Sequence, residues 1–273
     1  MSGPSPDQIP EKWSAIASGY EHAFEGLSAQ FAADALRLLN LKLGERVIDV
    51  AAGTGAFSLL AARTGAKVLA TDFAPGMVAR IRERAAVEGL ANISAEVMDG
   101  QALSVPDASF DASASVLGVI FFPDIAKGIA ELHRVLCPGG RTAIVCWGEV
   151  KNMQMMMLVV QSIQKVVPDF QPPAAPPVWA RLAGQAALGE EMTKAGFRDV
   201  ETTLSTRSLR IASTQQFWVD FTSSAPPLAY LFAQLGTDRT VAVGEAFTEA
   251  LRGKSADGTP TLSAEACIGI GKA

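Results

Sequence analysis

The stretch "VIDVAAGTGAF", residues 47–57, constrains the fold of this chain more than any other feature. Its first residues form a short apolar run that predicts a buried strand, and "GAFSLLAART" predicts a helix directly after it. Gly53 and Gly55 fall between the two. Glycines at such a turn adopt backbone angles that other residues avoid, and they leave room for a polar ligand at the helix N-terminus. The sequence therefore predicts a strand–turn–helix unit that binds a ligand.

The same alternation continues from residue 44 to residue 148. The segments "AKVLATD", "NISAEVMD", "SFDASASVLGVIF" and "RTAIVCWG" predict four more strands. Between them, "PGMVARIRERAAVEG" and "DIAKGIAELHRVL" predict helices, and "CPGG" predicts a turn. Strands that alternate with helices are joined by right-handed crossovers, so we expect a mostly parallel sheet with helices on both faces.

The flanking regions follow different patterns. Residues 1–12 indicate a loose arm, and residues 13–39 are helical in their apolar spacing. After residue 148 come a Met-rich helix, a Pro-rich loop, a helix that ends at Gly196, a strand, further helices over residues 212–251 and a last strand. We expect an N-terminal arm with helices over 1–40, a ligand-binding core over 41–148, cap insertions over 149–190 and 212–260, and a terminal strand pair over 191–211 and 261–273.

Composition and charge exclude several classes of function. A net charge of -5 without clustered Lys and Arg argues against nucleic-acid binding. The three cysteines have no metal-like spacing, and the longest apolar run is too short to span a bilayer. The N-terminus has the pattern of neither a signal peptide nor a transit peptide. We therefore expect a cytoplasmic protein that binds no metal, no membrane and no nucleic acid.

Acidic residues mark three consecutive predicted strands. Asp49 lies inside the first strand, Asp72 ends the second and Asp99 follows the third. A carboxylate at the second position can hold ribose hydroxyls, and one at the third can reach an adenine amine. The dinucleotide fingerprint G-x-G-x-x-G is incomplete, because Ser58 stands where its third glycine would be. The pattern favours an adenosine-containing ligand.

These motifs resemble those of the class I S-adenosylmethionine (SAM)-dependent methyltransferases, in particular the broad type 11 group that includes quinone and other small-molecule enzymes. The residues that carry the resemblance are, in order, "VIDVAAGTG", "LATDFAPGM", "VMDGQAL", "PDASFDASASVLGVIFFPD" and "LHRVLCPGGRTAIVCW". The resemblance implies an α/β fold: a Rossmann-like, doubly wound, mostly parallel seven-stranded sheet with an antiparallel last strand, plus a helical cap. It also implies SAM as cofactor, with S-adenosylhomocysteine (SAH) as its product.

The resemblance assigns a cofactor role to residues around the glycine turn and at the strand ends. The turn would line the methionine part of SAM, Asp72 would hold the ribose and Asp99 the adenine amine, and Tyr20 would lie near the methionine carboxylate. The full set of expected cofactor contacts is Tyr20, Asp49, Ala51, Gly53, Thr54, Gly55, Asp72, Phe73, Met77, Asp99, Gly100, Gln101, Val116 and Leu117. Ala74 stands where many relatives have a Ser or Thr helix cap, which weakens the cap and leaves the ligand contacts untouched.

A sulfonium is an activated methyl donor, so the protein mainly aligns the reactants and excludes water. A general base is needed only where the nucleophile keeps its proton, and His22 is the candidate, against a helix-surface histidine as the alternative. The acceptor is expected to be a small hydrophobic or aromatic molecule, methylated at O, C or N. Its candidate contacts are Trp13, Phe121, Met153, Met157, Trp179 and Trp218. Ordinary core packing, or for the Met run a subunit interface, is the alternative for these residues.

Two other functional classes stay open at this point. One is a catalytically silent SAM-binding partner of another subunit. The other is a nicotinamide-dependent oxidoreductase, against which the absent third glycine and the position of Asp99 argue. The N-terminal helix and the Met-rich cap would suit a homodimer.

Overall fold

The computed structural model describes residues 5–172, 177–253 and 259–273, and of Ser18 and His22 it describes only the backbone. Through these residues runs one sheet of seven strands in the order β3-β2-β1-β4-β5-β7-β6. The strands are β1 (Arg46–Val50), β2 (Lys67–Asp72), β3 (Ile93–Val97), β4 (Phe110–Val116), β5 (Leu136–Trp147), β6 (Arg198–Arg210) and β7 (Thr261–Lys272).

The first five strands pair in parallel, and β7 lies antiparallel between β5 and β6. This confirms the predicted fold class. After β1 the chain continues to β2 and β3 on one side of the sheet, and after β4 it continues to β5 on the other side. The strand order therefore reverses between β1 and β4. In open α/β sheets a crevice forms at such a reversal, and ligands bind there.

The helices are α1 (Pro10–Ala15), α2 (Ala17–Leu39), α3 (Ala56–Arg63), α4 (Pro75–Val87), α5 (Ile125–Arg134), α6 (Gln154–Val166), α7 (Gln185–Lys194), α8 (Thr214–Ser223), α9 (Pro226–Leu235) and α10 (Thr237–Arg252). Local chemistry explains several of their starts. Asp124 caps α5 by accepting a hydrogen bond from the amide of Lys127 at 3.0 Å. Pro75 and Pro226 open α4 and α9 at positions where a missing amide proton costs nothing. None of the described helices combines the length and the apolar character that a membrane span requires.

Two hydrophobic clusters organise the packing. The larger one surrounds the sheet, where side chains of β1, β4 and β5 such as Ile48, Ala114 and Ile144 are fully buried. The second joins α6 and α8–α10 to α2 and contains stacked rings: Phe221 lies 5.8 Å from Phe217 and 6.3 Å from Phe247. We refer to these four helices as the cap.

The N-terminus and β5 differ from the sequence-based expectations. The predicted helix over 13–39 is two helices, because Ile16 leaves helical geometry with a φ of -107° and a ψ of 4°. Residues 5–12 were expected to belong to a loose arm; instead they form a short 3₁₀ turn at Pro6–Gln8 and the start of α1. The "CPGG" segment belongs to β5, because Gly139 and Gly140 exchange backbone hydrogen bonds with Ala273.

Candidate active site

The glycine turn between β1 and α3 is held in a strained path. Ala51, Gly53 and Gly55 all have positive φ angles, of 55°, 57° and 91°. Leu117, at the end of the neighbouring strand β4, has a φ of 58°. Left-handed geometry at residues other than glycine is costly and concentrates at functional sites. The strained backbone at the carboxyl ends of β1 and β4 therefore indicates a functional site.

A cavity of about 230 Å³ opens at these strand ends. One side of the cavity is formed by the carboxyl ends of β1–β4 and the segments that follow them. The opposite side is formed by the N-terminal 3₁₀ turn, α1 and α2. All but one of the expected cofactor contacts line it, together with two of the expected acceptor contacts: Tyr20, Asp49, Ala51, Gly53, Thr54, Asp72, Phe73, Met77, Asp99, Gly100, Gln101, Val116 and Leu117, with Trp13 and Phe121. Gly55 does not line the cavity; it is the N-cap residue that precedes α3.

Asp72 joins the turn to the second strand. Its Oδ2 accepts a hydrogen bond from the amide of Gly53, and its Oδ1 accepts one from the amide of Ala74, both at 2.9 Å. Burial raises the pKa of this carboxyl group to about 6, although both hydrogen bonds act in the opposite direction. The two bonds fix the orientation of the side chain at the cavity wall.

Asp49 is fully buried beneath the turn. Ser58 donates its hydroxyl proton to Asp49 Oδ2 at 2.5 Å, so the residue that replaces the third glycine of the dinucleotide fingerprint holds this carboxyl group. Burial, with a smaller contribution from the charge of Asp72, raises the pKa of Asp49 to about 7, although hydrogen bonding from Ser58 acts in the opposite direction. Its other oxygen, Oδ1, has no hydrogen-bond partner among the described residues.

The third strand end carries Asp99 on an exposed loop. Asp99 Oδ1 accepts hydrogen bonds from the backbone amide of Gln101 at 2.9 Å and from its side-chain amide at 3.2 Å. Gln101 in turn accepts from the amide of Asp124, at the start of α5. A side chain on Gly100 would lie 2.4 Å from the ring of Phe122 and 2.8 Å from Val50, so glycine allows this loop to approach both residues closely.

The opposite wall is aromatic. The ring of Trp13 meets Phe121 edge-on at 5.2 Å and Tyr20 at 6.2 Å. Burial raises the pKa of Tyr20 above its usual range, and the charges of Asp72 and Glu25 add to that effect, so its phenol keeps its proton and can donate a hydrogen bond. This wall gives the cavity an apolar side next to its row of carboxylates.

Ion pairs between α2 and α4 hold that wall over the glycine turn. Arg84 bonds to Glu25 at 2.6 Å and to the backbone oxygen of Thr54 at 2.9 Å. Arg80 bonds to Glu21, also at 2.6 Å. Because Arg84 touches α2 and the turn at once, it couples the position of Tyr20 to that of the turn.

The structure does not bring the remaining expected acceptor contacts to this cavity. Met153 is buried in the sheet core, and Trp179 packs against that core. Trp218 lies in the cap with its ring 5.1 Å from both Phe232 and Phe247, and Met157 is half-buried on α6. The packing of Met153 and Trp218 fits the alternative of ordinary core, so a contact between these four residues and an acceptor stays a prediction. The side chain of His22 lies outside the described part of the chain, and its role as a base stays a prediction too.

Sequence analysis missed Asp7, Gln8 and Ser28, which also line the cavity. Within the described residues, the buried side-chain oxygens without a hydrogen-bond partner are Oδ2 of Asp7, Oγ of Ser28 and Oδ1 of Asp49. All three belong to residues of this one cavity. Ser28 could have been predicted, because it lies eight residues after Tyr20 on the same face of α2. Asp7 had only a weak one, the flanking prolines of "SPDQIP" that favour a fixed turn.

The sequence is similar to those of known methyltransferases. A family model described as a methyltransferase domain matches residues 47–140. A demethylmenaquinone methyltransferase of Corynebacterium glutamicum is 32% identical over 176 residues, which cover 59% of this chain and 71% of that protein. An uncharacterized protein of Mycobacterium tuberculosis is 33% identical over 200 residues, or 73% of this chain and 70% of its own length.

Solved structures show the same fold. Phosphoethanolamine N-methyltransferase 2 of Haemonchus contortus, in complex with S-adenosyl-L-methionine, superposes with a TM-score of 0.58. It shares 19% sequence identity and covers 95% of this chain and 57% of its own. At that identity the similarity extends to the fold alone.

Proposed function

This chain belongs to the class I SAM-dependent methyltransferases, and from that premise we propose that it transfers a methyl group from SAM to a small aromatic acceptor inside the cavity at the ends of β1–β4. The observation that carries the proposal is the convergence of Asp49, Asp72 and Asp99 on one cavity beside an aromatic wall.

The three carboxylates match the hydrogen-bond donors of SAM in number and kind. Asp49 has one buried oxygen without a partner, which suits the ammonium group of the methionine part. Asp72 is fixed at the second strand, where a carboxylate can accept from ribose hydroxyls. Asp99 would accept from the adenine amine, with Gly100 and Gln101 beside the ring. Gly53 and Thr54 would approach the methionine part, for which the turn leaves room.

SAM supplies an activated methyl group, and the residues of this chain bind, orient and exclude water. Trp13, Tyr20 and Phe121 form one wall of the cavity. Asp49 and Asp72 are buried, and the low local dielectric would strengthen their contacts with the ligand. Val116 ends β4 at the cavity, and Leu117 follows it with a left-handed backbone. Positioning does most of this chemistry. A hydroxyl acceptor also loses its proton as it takes the methyl group from sulfur, and His22 is the candidate base for that proton.

We propose an aromatic hydroxyl compound of the quinol type as the acceptor. The aromatic wall would stack on a flat ring, and the relative in Corynebacterium glutamicum carries the name demethylmenaquinone methyltransferase. The assignment of 41–148 as the SAM-binding core, the cap as the substrate-selecting part, a homodimer and a cytoplasmic location belong to the same proposal.

A methyl-transfer assay tests the proposed function. Purified protein is incubated with methyl-labelled SAM and a panel of naphthols, naphthohydroquinones including demethylmenaquinol, catechols and aliphatic amines, and labelled product is measured. We expect turnover with aromatic hydroxyl compounds and none with aliphatic amines. Turnover restricted to the amines would contradict the acceptor class. SAM binding without turnover of any acceptor would favour a silent SAM-binding subunit.

A further inference from the structure

The cavity contains a fourth carboxylate, that of Asp7. This side chain is only 4% exposed, and its Oδ2 has no hydrogen-bond partner among the described residues. It reaches the cavity from the N-terminal wall, beside Gln8 and Trp13. A carboxylate oxygen is stable in a buried place only where a donor meets it, so the position of Asp7 calls for a partner.

The protein fixes Asp7 in place from two sides. The amide of Gln8 donates to the backbone oxygen of Ser5 at 2.9 Å and closes the 3₁₀ turn. The indole nitrogen of Trp13 donates to the backbone oxygen of Asp7, also at 2.9 Å. Helix α9 of the cap packs against the same turn. Asp7 is therefore held between the cap and the aromatic wall.

In the proposed binding mode, no hydrogen-bond donor of SAM is left to pair with Asp7. The ammonium group, the ribose hydroxyls and the adenine amine are matched by Asp49, Asp72 and Asp99, which lie on the strand side of the cavity. Asp7 lies on the N-terminal side, next to Trp13, which meets Phe121 ring to edge. An acceptor held against that aromatic pair would present its own hydroxyl group to the wall.

We propose that Asp7 is an acceptor-binding residue, whose carboxylate accepts a hydrogen bond from a hydroxyl group on the aromatic methyl acceptor. The inference rests on the proposed function, because it takes the strand side of the cavity as the place of SAM. It gives the N-terminal turn a role in selecting acceptors: a ring that carries a free hydroxyl is bound, and the same ring with that hydroxyl blocked is bound more weakly.

The test uses 1-naphthol and its methyl ether, which differ in the hydroxyl donor. Their dissociation constants are measured by calorimetry with and without saturating SAH, for the wild type, Asp7→Leu, Asp7→Asn and Glu11→Gln. Leucine has the same branched carbon skeleton as aspartate, with methyl groups in place of the two oxygens. Glu11 is exposed on α1, so Glu11→Gln removes a charge from the same segment outside the cavity. The affinity for SAH is measured for all four proteins as a check that the strand side is intact.

We expect the wild type and Glu11→Gln to prefer 1-naphthol over the ether by about tenfold, as a hydrogen bond to a charged acceptor allows. Asp7→Leu should bind the two compounds equally, with an unchanged affinity for SAH, and Asp7→Asn should lie between. A preference that persists in Asp7→Leu, or a wild type that binds the pair equally or not at all, would overturn the inference. Failure of the wild type to bind SAH would instead count against the proposed function, and the naphthol comparison without SAH would still decide the role of Asp7.

Discussion

Asp49 and Asp72 show how burial sets the chemistry of single residues in this cavity. Both lie at the carboxyl ends of adjacent parallel strands, and burial raises the pKa of each carboxyl group, to about 7 and about 6. Asp72 receives two backbone hydrogen bonds, whereas Asp49 receives one from Ser58 and leaves an oxygen without a partner. Asp49 is therefore the carboxylate that gains most from a cationic ligand group.

We predict that SAH binding near pH 7 releases a proton from Asp49. The ammonium group of SAH favours the ionised carboxylate and lowers its pKa, so affinity should rise as the pH increases through about 7. Titration calorimetry in buffers of different ionisation enthalpy measures the released proton. The release should be absent in Asp49→Asn, and equal binding enthalpies for the wild type in all buffers would contradict the assignment.

The same raised pKa has a defined effect on stability before SAH is added. Because the folded state holds this proton more tightly than the unfolded chain, the contribution of Asp49 to the free energy of unfolding is complete below a pH of about 4. It is lost as the pH rises through about 7. We expect SAH to oppose this dependence, because its ammonium group would favour the ionised form of Asp49.

Cavity residues that belong to sequence motifs could be predicted, and those outside any motif could not. Asp72 and Gly53 follow from their spacing, because adjacent parallel strands bring their ends together. Asp7 lies 42 positions before Asp49 in the chain, in a segment without periodicity. Only the packing of α1 and α9 brings it to the cavity, and no local pattern reports that packing.

Among the elements, α1 is the one whose docking completes the cavity. It lies against the start of α4, where Ser14 Oγ accepts a hydrogen bond from the amide of Gly76 at 3.0 Å. A Cβ atom on Gly76 would lie 2.7 Å from the Cα and from the backbone oxygen of Ser14. The close approach of the two helices therefore depends on glycine at this position.

We predict that Gly76→Ala displaces α1 and weakens SAH binding by about tenfold, since overpacking at a tight contact costs about 1–3 kcal/mol. Trp13 would leave the cavity wall together with α1, and limited proteolysis should cut the N-terminal segment faster. Gly19→Ala is the matched control, because a Cβ there meets no described atom within 4 Å. Equal SAH affinities for the two variants would show that α1 does not support the site.

The limits of the elements were predicted less well than their order. Strands β1, β2 and β3 begin and end close to the apolar runs in the sequence. The predicted fourth strand extends to residue 121, but β4 ends at Val116 because Leu117 adopts a left-handed conformation. β5 begins before "CPGG" because the C-terminal residue pairs with both glycines. Such boundaries depend on contacts between segments that are far apart in the chain.

For the whole molecule, the alternation of strands and helices was sufficient to predict the parallel part of the sheet. An antiparallel last strand followed from the resemblance to a family and is confirmed: β7 pairs antiparallel with both β5 and β6. The cap was harder to predict. Trp218 was expected to contact an acceptor, with core packing as the alternative, and its ring packs on Phe232 and Phe247. Apolar residues on a helix predict burial, and they do not reveal whether the partner is a ligand or another helix.

The account as a whole depends on the identity of the ligand at the ends of β1–β4. The most direct measurement is calorimetric titration of SAH, and separately of NAD, into the wild type, Asp72→Asn and Asp111→Asn. Asp111 pairs with Arg46 at the opposite end of the sheet, so its substitution controls for the loss of a carboxylate. We predict binding of SAH and none of NAD, an affinity about tenfold or more lower in Asp72→Asn, equivalent to about 1.4 kcal/mol, and an unchanged affinity in Asp111→Asn. Binding of NAD without SAH, or equal SAH affinities in all three proteins, would contradict the central claim.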